Sequence, residues 1–326
     1  MRATRSRIPN RYSGAHDARL STRVRVDGRA NAAALLAASL YGASVVAVRV
    51  AVVDVSPLAL ALLRFGQGAL ILVIALAVTA PHLLKIEMHD LPFVALLGVI
   101  FFAMFPLSFN AGLQFTEASR GSVLLATMPV WSALLAPLFA PEHLSRSQLG
   151  GVGLTMAGVF LSVVPSLLAS GGGSRALIGD GLMVVTAFLG ALYGVLSKRA
   201  LKSYSAATVT TYAMIFGIAS LTPVALALRS FDGMRLNSEV IAWVLFLGVF
   251  GGALSFLLWT VALSRLSPTA VTVYINVVPM VATFFVFILL DERVGVLFVA
   301  GFAAVAAGVY LVNRPAHRLE RVGGRG

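Results

Sequence analysis

The sequence predicts an all-α integral membrane protein whose ten transmembrane helices form two inverted five-helix repeats. Three observations carry this prediction. Apolar residues make up 59% of the 326-residue chain before its 30 glycines are added, whereas soluble domains hold about 45–50% with glycine included. Charged residues make up 12%, about half their usual share. Apolar runs of membrane-spanning length recur along the chain, and its two halves repeat each other.

Ten apolar runs are separated by short connections that are polar or contain Pro or Gly. The runs are apolar on every face, which excludes the alternating pattern of a transmembrane β-barrel. The predicted spans cover residues 31–52, 57–79, 91–109, 118–140, 147–165, 179–197, 206–228, 239–259, 268–290 and 295–313.

The spans divide the chain into two halves between basic tails. The predicted segments are a disordered tail at 1–30, a first repeat at 31–165, a Gly- and Ser-rich linker at 166–178, a second repeat at 179–313 and a tail at 314–326. Cytoplasmic segments of membrane proteins carry an excess of Lys and Arg. The tails contribute eight and four arginines, while the connections alone balance at six basic residues per side. We therefore predict a multi-pass protein of the cell (plasma or inner) membrane with both termini cytoplasmic.

Composition also limits the chemistry. The net charge of +12 lies in tails and short connections, without the basic stripe and interleaved aromatic residues of a nucleic-acid interface. The sequence has no Cys, its five His lie outside the spans, and it lacks a phosphate-binding loop. These features predict no cofactor, no metal site and no enzymatic activity, and leave the lipid bilayer and a small-molecule substrate as partners.

An internal repeat appears when residues 110–163 are laid over 260–313 at a constant shift of 150. Pairs matched in one register include Pro129 with Pro279, Glu142 with Glu292, and Gly158 with Gly308. Leu40-Tyr41-Gly42 recurs as Leu192-Tyr193-Gly194. Because each half holds an odd number of spans, the second copy must enter the membrane from the opposite side. Inverted repeats of this kind are typical of transporters that hold substrate near the middle of the membrane.

Several motifs resemble the EamA-type ten-helix branch of the drug/metabolite transporter superfamily. They are Ser56-Pro57, Leu63-Arg64-Phe65, Met128-Pro129, the following Glu142, and the Gly150-Gly151 to Ala157-Gly158 segment. The resemblance covers residues 31–314. It implies a permease that works by alternating access and leans toward export, with spans one to four and six to nine around the path and spans five and ten at the periphery.

Polar groups at mid-span are the candidates for the substrate path. Asn276 is the first choice because a carboxamide in lipid needs partners, and Pro129 and Pro279 free backbone carbonyls by kinking two equivalent spans. The further cavity candidates are Thr127, Trp131, Thr272, Tyr274, Tyr41, Tyr193, Ser255 and Trp259. Each of these also suits plain packing, and Trp259 suits the interfacial aromatic belt. A path of this composition favours amino acids or amphipathic compounds over highly charged solutes.

Two charged residues remain as candidates in the spans. Arg64 stands seven residues into the second span, roughly 10 Å below its boundary at about 1.5 Å per residue. It could attract an anionic substrate group, or it could snorkel or pair with a carbonyl group or Asp54. Glu117, near the outer end of the fourth span, is a possible proton site, which keeps a proton-coupled multidrug exporter open as an alternative.

Two alternative functions remain open, and the sequence also suggests one possible assembly. A non-transporting scaffold or sensor would have a filled centre, whereas a transporter needs a cavity that touches both halves. A membrane-embedded enzyme would need an acid and base paired inside the spans. The small pairs Gly153 with Ala157, and Ala304 with Gly308, suit close helix contact, so a homodimer is a possible assembly.

Overall fold

The computed structural model describes residues 27–116, 121, 124–139, 145–169, 174–282, 284 and 296–313. Both predicted tails fall almost wholly outside this part of the chain, as do Glu117, Glu142 and Glu292. The predicted 166–178 linker overlaps two helices, which run up to Ala169 and on from Ser174.

The described residues form ten helical segments in chain order. These are α1 (Gly28–Ala51), α2 (Pro57–Thr79), α3 (Leu91–Gly98, Val99–Met104 and Phe105–Phe115 in succession), α4 (Met128–Phe139), α5 (Arg146–Ala169), α6 (Ser174–Ala200), α7 (Ala206–Ala227), α8 (Ser238–Phe246, Leu247–Leu254 and Ser255–Arg265 in succession), α9 (Pro268–Ala282) and α10 (Val296–Asn313). A short 3₁₀ turn, Pro81–Leu84, follows α2.

Six of these helices, namely α1, α2, α3, α6, α7 and α8, are long and apolar enough to cross a membrane. Large apolar side chains face outward on them, such as Leu70 at 59% and Val78 at 78% exposure. Such faces are stable against lipid and unfavourable in water. Helices α4, α9 and residues 299–313 of α10 form shorter apolar segments.

N-cap residues identifiable in the sequence stabilise the starts of two helices. Ser56 accepts a hydrogen bond from the Ala59 amide at 3.2 Å, and Pro57 occupies the first helical position. Ser267 and Pro268 repeat this arrangement at the start of α9. A hydroxyl at the N-cap satisfies an otherwise free amide, and Pro has no amide to satisfy.

Contacts between connections define two ends of the bundle. At the end that we call the closed end, Arg265 pairs with Asp27 at 3.3 Å and Tyr204 donates to Asp90 at 2.6 Å. At the opposite end, which we call the open end, the Arg235 amide donates to the Asp54 carbonyl at 3.0 Å. Helix α1 therefore begins at the closed end, whereas its counterpart α6 finishes there. Opposed directions of counterpart helices confirm the predicted all-α fold of inverted repeats.

Each half also contains a π-helical stretch at an equivalent place, Val99–Met104 in α3 and Leu247–Leu254 in α8. A shift of 150 residues, the offset of the internal repeat, moves residue 99 of the first stretch onto residue 249 of the second. π-Helical turns are rare and occur often at functional sites. Both stretches lie at the level where α3 and α8 cross neighbouring helices.

Helices α5 and α10 pack closely against each other at the periphery. A Cβ atom added at Gly151 would lie 2.8 Å from the Gly308 carbonyl oxygen, and one at Gly158 would lie 2.7 Å from that of Gly301. Gly153, predicted to take part in close helix contact, instead has open space around it. The contact between α5 and α10 therefore uses Gly151 and Gly158, and Gly153 lies on an exposed face of α5.

Candidate functional site

A cavity of about 490 Å³ lies between the two halves. Helices α1 to α4 of the first half and α8 and α9 of the second half contribute to its wall. The residues that line it are Tyr41, Ser44, Val45, Val48, Val52, Pro57, Leu60, Ala61, Arg64, Phe65, Phe101, Phe105, Pro106, Phe109, Asn110, Leu125, Met128, Phe256, Trp259, Ile275 and Val278. The volume falls in the range of about 300–1,000 Å³ that small-molecule sites occupy.

The described lining residues extend from the middle of the bundle toward the open end. Its wall reaches Val52 at the end of α1, Pro57 at the start of α2 and Asn110 in the last turns of α3. Toward the closed end, Tyr274 Oη donates to Asn31 Oδ1 at 2.7 Å and so joins α9 to α1. Among the described residues, the cavity is therefore closed at one end of the bundle and left open at the other.

Further polar contacts hold the closed end together. Thr208 donates to the Leu83 carbonyl at 2.7 Å, and Tyr212 donates to the Leu84 carbonyl at 2.7 Å. Tyr204 also accepts a hydrogen bond from the Glu87 amide at 3.2 Å. These contacts fasten the connection after α2 to the start of α7, and so join the first repeat to the second.

Two ionisable groups at this end have shifted pKa values. The pKa of Asp27 is lowered, mainly because its carboxylate accepts a hydrogen bond from the Ala30 amide, with Arg265 adding to the effect against partial desolvation. The pKa of Tyr204 is raised, mainly because its hydroxyl donates to the carboxylate of Asp90. Both shifts favour the protonation states that make the observed contacts at neutral pH.

Arg64 lies in the cavity wall, where it is held by the π-helical stretch of α8. Its Nε and Nη2 atoms donate to the Gly251 carbonyl oxygen at 3.0 and 2.5 Å. Its guanidinium carbon lies 5.3 Å from the ring centre of Phe65 and 5.7 Å from that of Phe256. Gly251 also accepts a hydrogen bond from Ser255 Oγ at 2.8 Å. The side chain is thus fixed in direction by one carbonyl group and two ring faces.

Aromatic rings form most of the remaining wall. Phe256 makes edge contacts with Tyr41 at 5.0 Å and Phe101 at 5.4 Å between ring centres, and Phe101 makes one with Phe105 at 5.1 Å. Such packed rings have defined positions and present apolar faces. The wall therefore suits the apolar body of a ligand.

Of the residues proposed from sequence, Tyr41, Arg64 and Trp259 line the cavity. Tyr193 and Ser255 lie directly behind its wall: the ring of Tyr193 stacks on Phe101 at 4.1 Å, and the Ser255 carbonyl accepts from the Tyr41 hydroxyl at 3.5 Å. Both are completely buried. They support the wall residues and do not reach the cavity.

The remaining candidates on α9 lie toward the closed end or within the packed interior. Asn276 is fully buried, and its amide atoms make no hydrogen bond within the described part of the chain. Its neighbour Ile275 lines the cavity instead. Thr272 donates to the Pro268 carbonyl at 3.0 Å. Tyr274 makes the closing contact with Asn31.

The candidates on α4 stand beside the cavity rather than in it. Trp131 packs edge-on against Phe188 of α6 at 5.7 Å, and Thr127 donates to the Leu124 carbonyl at 2.6 Å. Pro129 and Pro279 each follow a residue that lines the cavity, Met128 and Val278 respectively. The structure does not describe Glu117.

Sequence inspection missed Ser44, Asn110 and the Phe101, Phe105, Phe109 series. The phenylalanines recur at four-residue spacing, which places them on one helix face. That signal was present in the sequence, but α3 is apolar on all faces, so spacing alone could not show which face meets the cavity. Among the described residues, no three His, Asp or Glu side chains cluster as a metal site would require.

Comparison with known proteins identifies the architecture. The family model described as EamA-like transporter family matches residues 28–164 and again 177–314. An uncharacterized transporter of Archaeoglobus fulgidus is 32% identical over 63% of this chain and 70% of its own length. A probable terminal-alkyne amino-acid exporter of Streptantibioticus cattleyicolor is 30% identical over 74% of this chain and 80% of its own length.

A crystal structure superposes with a TM-score of 0.74 at 17% identity, covering 86% of this chain and 95% of that one. At this identity the superposition supports the fold alone. The two matches of the family model fall on the two halves that surround the cavity. The chain belongs to the EamA-like transporter family, within the drug/metabolite transporter superfamily.

Proposed function

We propose that this protein carries small organic solutes with an apolar body, such as amino acids or amphipathic metabolites, across the membrane by alternating access. The observation that carries this proposal is a solute-sized cavity between inverted repeats, which the described residues close at one end and leave open at the other. Alternating access requires such a site, with each end opened in turn around it. A non-transporting scaffold has no need of a cavity in this position.

The contacts at the closed end fit a gate that must open again. They comprise single hydrogen bonds and an exposed ion pair, such as Tyr274 with Asn31 and Arg265 with Asp27. A hydrogen bond contributes about 0.5–1.5 kcal/mol net, and an exposed ion pair about 0–1 kcal/mol. Breaking a few of them is compatible with a transport cycle.

We infer export as the direction, with both termini in the cytoplasm of the plasma or inner membrane. The relative from Streptantibioticus cattleyicolor, named as a probable amino-acid exporter, supports this inference. In this orientation the open end faces outward, and the structure corresponds to the state that releases an exported solute. The closed end then faces the cytoplasm, where the basic tails predict it.

Transport is tested with purified protein in proteoliposomes. Labelled amino acids, nucleosides, sugars and organic cations are each exchanged across the membrane, and protein-free liposomes give the background. We expect exchange of amino acids with apolar side chains and none of sugars. If folded protein exchanges no member of the panel, the transport proposal is rejected, and binding without exchange would favour a sensor.

Alternating access is tested by cysteine labelling, since the chain has no Cys of its own. Val48 lines the cavity near the open end, and Ala34 lies two helical heptads earlier in α1, completely buried near the closed end. With a water-soluble maleimide, Val48→Cys should label quickly and Ala34→Cys slowly. A transported solute should change the two rates in opposite directions; rates that never change would contradict a moving gate.

The same variants test the orientation. In intact cells, a membrane-impermeant maleimide should reach Val48→Cys from outside when the open end faces outward. Labelling only after the cells are opened would reverse the proposed orientation.

A further inference from the structure

Arg64 is the one charged residue among the described residues that line the cavity. It is partly exposed there, about seven residues into α2. A cation at this depth is costly unless it is paired or hydrated. Within the described chain no carboxylate lies at ion-pair distance from it. The described part of the cavity wall therefore carries a positive charge that has no ion-pair partner there.

The contacts of Arg64 use only one side of the guanidinium group. Nε and Nη2 both donate to the Gly251 carbonyl, and the rings of Phe65 and Phe256 flank the group. The structure gives Nη1 no acceptor among the described residues. A guanidinium group has five N–H donors in a planar fork that matches a carboxylate. The Nη1 edge is thus held in position and left for a ligand.

The rest of the wall specifies what such a ligand must look like. Its described polar groups besides Arg64 are uncharged, namely Tyr41, Ser44, Asn110 and Trp259, and the other lining residues are apolar. An anionic head would lower the cost of the Arg64 charge in this low-dielectric site. An apolar body would fill the aromatic remainder. A solute with cationic groups alone would meet repulsion from Arg64 and no acidic partner.

The geometry points to a carboxylate-binding site: Arg64 holds the carboxylate of the transported solute, and the aromatic wall holds its apolar body. The solute class is therefore small monocarboxylates and amino acids with apolar side chains. This inference rests on the proposed transport function and makes it more specific. The bond between Arg64 and Gly251 aims the guanidinium group, so that little side-chain freedom is lost when the solute binds.

The test compares acids with their alcohols on the unmodified protein. The pairs are phenylalanine and phenylalaninol, leucine and leucinol, and 3-phenylpropanoate and 3-phenylpropanol, which differ in the carboxylate but keep the body. Binding is measured by calorimetry or by the shift in thermal unfolding. We expect each acid that binds to do so at least tenfold more tightly than its alcohol. Equal affinity of acids and alcohols would overturn the inference while leaving transport intact.

Variants then test whether Arg64 is the source of the preference for acids over alcohols. Arg64→Gln keeps an N–H donor for Gly251 but removes the charge, and should remove the preference for acids; Arg64→Lys should keep part of it. Arg199→Gln is the matched control, because Arg199 lies over the ring of Phe93 at 4.9 Å and outside the cavity. A preference for acids that survives in Arg64→Gln would overturn the inference. If no compound binds folded protein and none of the wider panel is exchanged, both this inference and the transport function fail.

Discussion

Two helix crossings occupy equivalent places in the two repeats and differ in chemistry. In the first, α2 crosses α8, and a Cβ atom added at Gly68 would lie 3.0 Å from the amide nitrogen of Ala253. In the second, α7 crosses α3, and a Cβ atom added at Gly217 would collide with the side chain of Phe102. Gly217 follows Gly68 by 149 residues. Both repeats therefore use glycine to bring a helix against a π-helical stretch.

Arg64 has no charged counterpart in the second crossing. The residue 149 positions later is Ala213, which is completely buried and whose carbonyl lies against Gly98. The first crossing borders the cavity and carries a guanidinium group, whereas the second is packed without polar side chains at these positions. The close approach is thus common to both repeats, and the charge is confined to one. This difference supports the proposal that Arg64 serves the solute cavity and is not required for the close crossing of the helices.

The largest loss of stability is expected when a positive charge is placed in the second crossing, that of α7 with α3. In Ala213→Arg a guanidinium group enters a site with no room and with no acidic partner among the described residues. The insertion cost of such a charge at mid-helix is about 3 kcal/mol or more. We expect loss of monodisperse protein and of a cooperative thermal transition. Ala213→Met, of similar length without charge, separates the charge from the volume. Equal stability of the two variants would show that the added volume, and not the charge, decides the effect.

The second prediction concerns the close approach itself. In Gly98→Ala the new methyl group would occupy the space of the Ala213 carbonyl oxygen, and overpacking of this kind costs about 1–3 kcal/mol. The thermal midpoint in detergent should fall accordingly. Gly66→Ala is the control, because nothing lies within 4 Å of that position; it should be neutral or stabilising by up to about 1 kcal/mol, since Ala favours helix over Gly. If the two substitutions change the thermal midpoint equally, the crossing at Gly98 is not packed as tightly as the structure indicates.

Sequence reasoning captured the fold because its signals are distributed over the whole chain. The apolar runs, the Ser-Pro helix starts such as Ser56-Pro57, and the 150-residue repeat each extend over many residues, so an error at one position changes little. The π-helical stretches carried no comparable signal. In α8 the stretch lies where Gly252 meets the Arg64 carbonyl of α2, and in α3 it lies where Phe102 meets Gly217 of α7. These are tertiary contacts, which local propensity does not report.

The candidate site was predicted less completely, for a physical reason. Polarity at mid-span identified Arg64, Tyr41 and Trp259, which do line the cavity. It also selected Asn276 and Tyr193, which point into packed protein. Inside a membrane protein the cavity wall and the packed interior have the same apolar composition, so polarity marks an unusual residue without telling which surface it faces. Helix rotation decides that, and helices that are apolar on all faces do not encode it in their periodicity.

The smallest effect on stability is expected when the charge is removed from the first crossing. In Arg64→Leu the Gly251 carbonyl keeps its hydrogen bond from Ser255, and the apolar side chain suits the flanking rings of Phe65 and Phe256. A charge in a low-dielectric wall carries a desolvation cost that a hydrophobic residue does not have. We therefore expect the unfolding free energy to change by less than about 1 kcal/mol, while the tighter binding of acids disappears.

The opposite result has an equally definite meaning. If Arg64→Leu lowers the unfolding free energy by more than about 2 kcal/mol, in the range of hydrogen bonds to charged groups, the two bonds to Gly251 tie α2 to α8 and the charge serves the scaffold. Affinity for acids measured on the same samples then separates the two roles. A folded variant that loses only that affinity assigns Arg64 to the solute, because a structural tie between helices has no reason to distinguish an acid from its alcohol.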